Sequence, residues 1–225
     1  TKSQMFFAKG IIFVEGISEA ILLPEIAKIL DRPLEKYAVE LVNVDSVAFS
    51  PFVNLFSSQN VQTCFSKVAI VTDDDRCTKK SETNYINKDF DYDDVNSDIS
   101  GKLLSGTPSE RCNELETSCR AVGINVFKAT KTLEYALCCD ENNIEYFIEA
   151  IKSEYSQLGP ALEQKVNSLH DMNEKAACVW LFIRAREKCK GAIAQYISQI
   201  IKKQCEMRKR GENIEKEFVI PDYLK

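Results

Sequence analysis

The first 72 residues alternate short apolar runs with helical stripes, and that alternation restricts the fold more than any other feature. Gly10-Ile11-Ile12-Phe13-Val14 is apolar and β-branched at successive positions, the pattern of a buried strand. It stops at Glu15-Gly16, and a helix is predicted from an N-cap at Ser18, with Ile21, Leu22, Ile26, Ile29 and Leu30 on one stripe. Val39 to Val44 reads as a second strand, and Pro51 opens a second helix through Phe52, Leu55 and Phe56. Val68-Ala69-Ile70-Val71 is a third strand, running directly into Thr72-Asp73-Asp74-Asp75. This order favours an α/β fold, a parallel sheet with helices on its faces.

From Arg76 to about Ser109 the apolar pattern fails. Asp89, Asp91, Asp93, Asp94 and Asp98 crowd a segment that also holds Gly101, Gly106 and Pro108. Residues 76–109 are therefore expected to be a loosely packed acidic insertion or loop. Its carboxylates lack the glycine and terminal glutamate spacing of an EF-hand. Pattern returns with a helix over Glu110–Ala121, a stop at Gly123 and a fourth strand at Ile124-Asn125-Val126-Phe127. Beyond Thr132-Leu133-Glu134 the chain reads as helical to near residue 210, with helices predicted over Ile144–Ser153, Asn173–Lys188 and Gly191–Met207. The expected organisation is an α/β core over 1–140, then a helical region over 141–225.

Composition narrows the class. At 225 residues, 44% hydrophobic and 28% charged, the chain can bury a substantial core. No apolar run approaches the roughly 20 residues of a spanning helix, and no signal peptide opens the sequence. Nine cysteines, an odd number that includes the adjacent Cys138 and Cys139, read as reduced thiols and a cytoplasmic protein. His170 is the single histidine, which argues against a triad that needs one as base. The net charge of −5 is unevenly spread. Residues 184–225 hold 11 Lys+Arg against 6 Asp+Glu, while residues 1–183 hold 18 against 28. The basic block comprises Arg184, Arg186, Lys188, Lys190, Lys202, Lys203, Arg208, Lys209 and Arg210. It is either a polyanion-binding stretch or a solvated helix face.

The chain has no G-x-x-x-x-G-K-[ST], no G-x-G-x-x-G and no G-x-S-x-G. What remains is acidic. Glu15 ends the first strand, Glu19 lies four residues on, and Asp73 and Asp75 end the third strand. Ligands of open α/β sheets gather outside those strand ends. Asp73 and Asp75 are two apart, so in an extended backbone their carboxylates leave on one side. A divalent cation is the natural way to hold several close carboxylates ionised, and oxygen donors without histidine or thiolate select Mg²⁺ or Mn²⁺. The competing reading is a helix-start acid and a loop-start aspartate cluster.

Val14-Glu15-Gly16-Ile17-Ser18-Glu19 after one strand and Thr72-Asp73-Asp74-Asp75 after another resemble a Toprim domain, found in topoisomerases, primases and nucleases. More narrowly, Thr132-Leu133-Glu134 and Lys190-Gly191 leading into Ala194-Gln195 resemble the nuclease domain of the overcoming-lysogenisation-defect (OLD) family, which includes Gabija-type antiphage nucleases. The resemblance implies a Toprim-like, mainly parallel sheet flanked by helices, and metal-dependent DNA cleavage with two Mg²⁺ or Mn²⁺ ions. It implies Glu15, Asp73 and Asp75 as principal metal ligands, Glu19 and Glu134 completing the second ion's shell, and Lys190 at the scissile phosphate. Lys202, Lys203, Arg208, Lys209 and Arg210 would at most contact the DNA backbone. It further implies an ABC-type ATPase domain earlier in the same polypeptide, in keeping with a chain that starts at Thr1 in mid-pattern, and a homo-oligomer built through that part, with no membrane partner.

Two other classes use the same residues. A Toprim nucleotidyl transferase would need a nucleoside triphosphate pocket, and a non-catalytic metal-binding assembly module would leave the chemistry to its partner. Tyr135, a conceivable topoisomerase-like nucleophile, lies in the apolar run Leu133–Leu137 and reads as core.

Overall fold

The structure, a computed structural model, describes residues 2–56, 67–81 and 83–225. Its sheet contains β1 (Gly10–Val14), β2 (Val39–Asn43), β3 (Lys67–Asp73) and β4 (Asn125–Ala129) in the order β2-β1-β3-β4, every pair parallel. The helices are α1 (Ile17–Ile29), α2 (Ser50–Leu55), α3 (Ser97–Ser105), α4 (Glu110–Ala121), α5 (Leu133–Cys138), α6 (Glu141–Glu154), α7 (Leu158–Ser168), α8 (Met172–Ala185) and α9 (Lys190–Lys209).

Both faces of the sheet are covered, which explains why β1 is apolar at consecutive positions. Ile11 and Phe13 pack with Val42, Phe49, Val53 and Ile70 on the face carrying α2. Val14 and Val71 join Leu22, Leu23 and Ile26 of α1 on the other. That second core continues without a break through α5, α6, α8 and α9. Helix α8 is buried at every position from Ala176 to Ile183, so it is the central rod around which the helical region packs. Helix α9 lies along α1, which ties the helical region to the sheet.

Ser18 does not cap α1. Gly16 holds the N-cap position in extended backbone, and Ser18 sits inside the first turn with its hydroxyl directed elsewhere.

The segment 76–109 departs from the loose packing expected of it. Cys77, Ile86, Tyr92, Val95, Ile99 and Leu103 are all buried in the larger core. Its acidic side chains largely have structural partners. Asp91 and Asp94 form a reciprocal capping box around a short 3₁₀ turn, and Asp98 pairs with Lys102 on α3. Asp91 also receives a two-pronged ion pair from Arg186 at 2.9 and 2.8 Å. Arg184 donates to the Asn87 and Phe90 carbonyls at 3.0 and 2.7 Å. Two members of the basic block thus hold this segment down.

Seven of the eight described cysteines are buried, and Cys139 is exposed. No described helix is long and apolar enough to cross a membrane.

Candidate metal centre

Strand register brings the acidic residues together. Val14 of β1 pairs with Val71 of β3, so Glu15 and Thr72 leave the sheet side by side. The Thr72 hydroxyl donates to Glu15 Oε2 at 2.7 Å, fixing the first carboxylate. Asp73 pairs in register with Ala129 of β4, and the turn after β4 then wraps back over it. The Leu133 N–H donates to Asp73 Oδ1 at 2.9 Å, where Thr132 caps α5. That places Glu134 at the start of α5, buried, accepting a 2.8 Å hydrogen bond from the Ser18 hydroxyl. Glu19 arrives from the first turn of α1, and Lys190 from the first turn of α9.

Glu15, Gly16, Ser18, Glu19, Asp73, Glu134 and Lys190 line one crevice of about 80 Å³ at the carboxyl ends of β1 and β3. Its electrostatics are those of crowded acids. Burial, then Glu134 and Glu15, push the Glu19 carboxyl up to about 7, against the opposing pull of its own backbone hydrogen bond and of Lys190. Burial, then the carboxylates of Glu19, Glu134, Glu15 and Asp75, hold Asp73 well above the usual range. Glu134, with Asp73 and Glu19, raises the Lys190 ammonium despite its burial. The Gly16 backbone makes room for the glutamate, since a Cβ there would come within 3.3 Å of Glu19 Oε2. Gly191 has no such duty. A Cβ at that position would meet Ile17 at an ordinary 3.9 Å, so the close backbone approach expected there is not enforced.

The three consecutive aspartates diverge. β3 ends at Asp73, and Asp75 takes a left-handed conformation with φ 51°, so the extended geometry assumed for the pair does not hold. Asp75 does not line the crevice; its carboxylate pairs with Arg111 of α4, whose guanidinium also lies 3.7 Å from Glu15. Asp74 is buried and structural. It pairs with Arg76 at 2.6 Å and accepts the Lys131 N–H at 2.9 Å.

Among the described residues, no three acidic, histidine or cysteine side chains are drawn together tightly enough to hold an ion as they stand. The donor chemistry nevertheless fits a hard divalent cation. Every donor is a carboxylate, and the charge concentrated around Asp73 faces only Lys190 within the crevice.

The remaining basic residues lie elsewhere. Lys202 and Lys203 are exposed, twelve and thirteen residues along α9 from Lys190, which at ~1.5 Å per residue is roughly 18–20 Å away. Arg208 donates to the Ile29 carbonyl at 3.1 Å, closing the end of α1, and pairs with Glu217 at 3.4 Å. Arg210 pairs with Glu212 at 3.0 Å, and Lys209 is exposed. Tyr135 is 1% exposed, a core residue.

Four contributors had no role in the site assigned from the sequence: Ser18 and Thr72, which lie within the two motifs, and Arg111 and Tyr223, which lie outside them. The Tyr223 hydroxyl is buried without a hydrogen-bond partner among the described residues, and burial together with Asp73, Glu19 and Glu134 raises its pKa.

Residues 6–75 match the family model described as "Overcoming lysogenization defect protein-like, TOPRIM domain". This stretch is a Toprim domain of the OLD family, and it contains Glu15, Glu19, Asp73 and Asp75. The fold of the chain is that of the C-terminal region of the Xanthomonas campestris pv. campestris OLD protein. One structure of that region superposes with a TM-score of 0.56 at 21% identity, covering 98% of this chain and 90% of that one. The C-terminal region of the Burkholderia pseudomallei OLD protein matches with a TM-score of 0.53 at 22% identity, covering 92% and 99%. No curated protein matches the chain. The family match suggests a metal-dependent, nuclease-type domain.

Proposed function

We propose that this chain is a Mg²⁺- or Mn²⁺-dependent endonuclease domain that hydrolyses phosphodiester bonds in DNA. The observation that carries the reading is the single crevice, at the ends of parallel strands, shared by Glu15, Glu19, Asp73, Glu134 and Lys190. Two divalent ions bound there would supply Lewis-acid activation of water and stabilisation of the leaving oxygen.

The chain's own residues do the rest. Glu15 and Asp73 present the principal oxygen donors, with Asp75 joining them once Arg111 releases it. Glu19 and Glu134 complete the oxygen shell, and Ser18 and Thr72 fix the orientation of Glu134 and Glu15. Lys190 sits where a scissile phosphate must approach and offsets the charge that develops on its oxygens. Helix α9 docks on α1 by its apolar face, so this lysine is positioned by packing. Lys202, Lys203 and Lys209 supply sequence-independent attraction to the DNA backbone at a distance.

The same Toprim ligands serve nucleotidyl transfer. The crevice, about 80 Å³, is well below the ~300 Å³ of a typical small-molecule pocket, which favours hydrolysis of a polymer over capture of a nucleoside triphosphate. The wider setting we propose is antiphage defence in the cytoplasm, under an ABC-type ATPase domain of the same polypeptide that also brings copies together.

The test is supercoiled plasmid incubated with the protein, with and without Mg²⁺ or Mn²⁺, beside an assay for labelled oligonucleotide synthesis. Metal-dependent nicking or linearisation that disappears in Asp73→Ala supports the proposal. Oligonucleotide synthesis without nicking would move the reading to nucleotidyl transfer. Activity unaffected by Asp73→Ala would remove the crevice from the reaction.

A further inference from the structure

A second cavity, of about 270 Å³, lies behind the loop that follows β3. Thr78, Lys88, Lys131, Trp180 and Arg184 line it, and the one carboxylate among its lining residues is Glu187. Three cationic side chains therefore face one acid. Their state is unusual. Lys131 is only 4% exposed, and among the described residues no carboxylate lies within ion-pair distance of its ammonium; Asp74 accepts only its backbone N–H. Its ammonium donates to the Arg76 carbonyl at 2.7 Å, which leaves two of its three N–H groups for another acceptor. Arg184 Nε is buried with no hydrogen-bond partner among the described residues. Both cations lie over the Trp180 ring, at 5.1 and 4.7 Å from its centroid, so the aromatic holds them in place. Asp73, Asp74 and Asp75 act on Lys131, and Asp89 and Asp91 on Arg184, without forming an ion pair with either. A buried cation with no contacting counter-charge is costly, and a bound anion is what would offset it.

The cavity is also close to the crevice. Lys131 and Glu134 are three residues apart, at most ~11 Å of chain. Glu187 likewise stands three residues before Lys190. Phosphates succeed one another along a DNA strand at an axial rise of ~3.4 Å, so a strand with one phosphate at Lys190 carries others two or three positions on that can reach the cavity.

We infer that Lys131, Arg184 and Lys88 form a second phosphate subsite, which grips the nucleic-acid backbone a few nucleotides from the scissile bond. This rests on the nuclease reading above and adds a recognition element that the carboxylate crevice does not contain. Trp180 orients two of the cations, and Glu187 is the one carboxylate that faces them.

Trp180 is the only tryptophan of the chain, so the unmodified protein reports on the cavity. The experiment titrates the full chain, metal-free, with a short oligonucleotide while following Trp180 fluorescence, and measures binding separately by anisotropy of the same oligonucleotide carrying a label. Inorganic phosphate is titrated in parallel. The expected result is a saturable fluorescence change with the midpoint of the anisotropy curve. Lys131→Met should weaken binding by about tenfold or more. Lys88→Gln should weaken it by about threefold. Lys131 also supports the Arg76 carbonyl, so unfolding midpoints accompany each variant; if Lys131→Met does not fold, the wild-type fluorescence and the exposed Lys88→Gln decide. Oligonucleotide binding with flat Trp180 fluorescence and an unaffected Lys88→Gln overturns the subsite while leaving the nuclease reading intact. No oligonucleotide binding, with inorganic phosphate still shifting Trp180, overturns the backbone assignment together with the nucleic-acid reading.

Discussion

Asp73, Asp74 and Asp75 are one residue type in one run, yet their surroundings give them three different roles. Asp73 is held by the Leu133 amide among acids, Asp74 is locked to Arg76 inside the protein, and Asp75 meets Arg111 near Glu15. Substitution should separate them. Asp74→Ala leaves Arg76, with 13% side-chain exposure, short of its counter-charge, and should lower unfolding free energy by about 3 kcal/mol in a urea titration. Asp73→Asn should leave stability equal or higher, because it removes charge from a crowded site, while abolishing cleavage. Lys190→Ala should lower the cleavage rate about 10²-fold with DNA affinity little changed, since its charge matters most at the transition state. A Lys190→Ala protein that cleaves normally would take this lysine out of the mechanism.

The acids at strand ends were legible in the sequence because each follows a buried strand, and parallel strands put their ends on one side. Ser18, Thr72, Arg111 and Tyr223 were not. Ser18 and Thr72 lie inside the motifs, yet a hydroxyl or guanidinium acting on a carboxylate distant in sequence shows no spacing rule, and its partner is defined only after the chain has folded.

At the scale of elements, the segment 76–109 shows why the sequence misled. Its buried residues stand apart among polar and acidic ones, so the segment as a whole has no apolar run. Val95, Ile99 and Leu103 are nevertheless four apart, the spacing of one helical stripe, and α3 buries the last two. The acids that resembled a solvated loop include capping groups and an ion-pair partner for Arg186. Leu103 is fully buried, so Leu103→Ala should cost about 2–5 kcal/mol, measurable by chemical denaturation. A loss below about 0.5 kcal/mol would return the segment to the status of a loose loop. The helices of the carboxyl-terminal region were easier to read, because α6, α8 and α9 each carry a long apolar stripe or core. Their destination was not legible: α9 runs along α1, which is how a lysine 117 residues after Asp73 reaches the same crevice.

For the whole molecule, charge asymmetry and function coincide only in part. The amino-terminal acids gather in the crevice, and the basic block divides among three tasks. Arg184 and Arg186 hold the segment before α4, Lys190 enters the crevice, and Lys202, Lys203 and Lys209 face solvent at the far end of α9. Replacing Lys202 and Lys203 by glutamine should weaken DNA binding and lower the slope of log affinity against log salt by up to about 1.8, with the cleavage rate of bound DNA preserved. An unchanged salt slope would place the DNA on another face.

Whether the crevice at the ends of β1 and β3 binds the divalent cation proposed for it is measured directly by Mn²⁺ calorimetry on the wild-type protein and on Asp73→Asn. Binding to the wild type should be saturable and should be lost, or weakened at least tenfold, in the variant, with both proteins shown to be folded by thermal unfolding. Equal Mn²⁺ affinity in the two proteins would contradict the proposal.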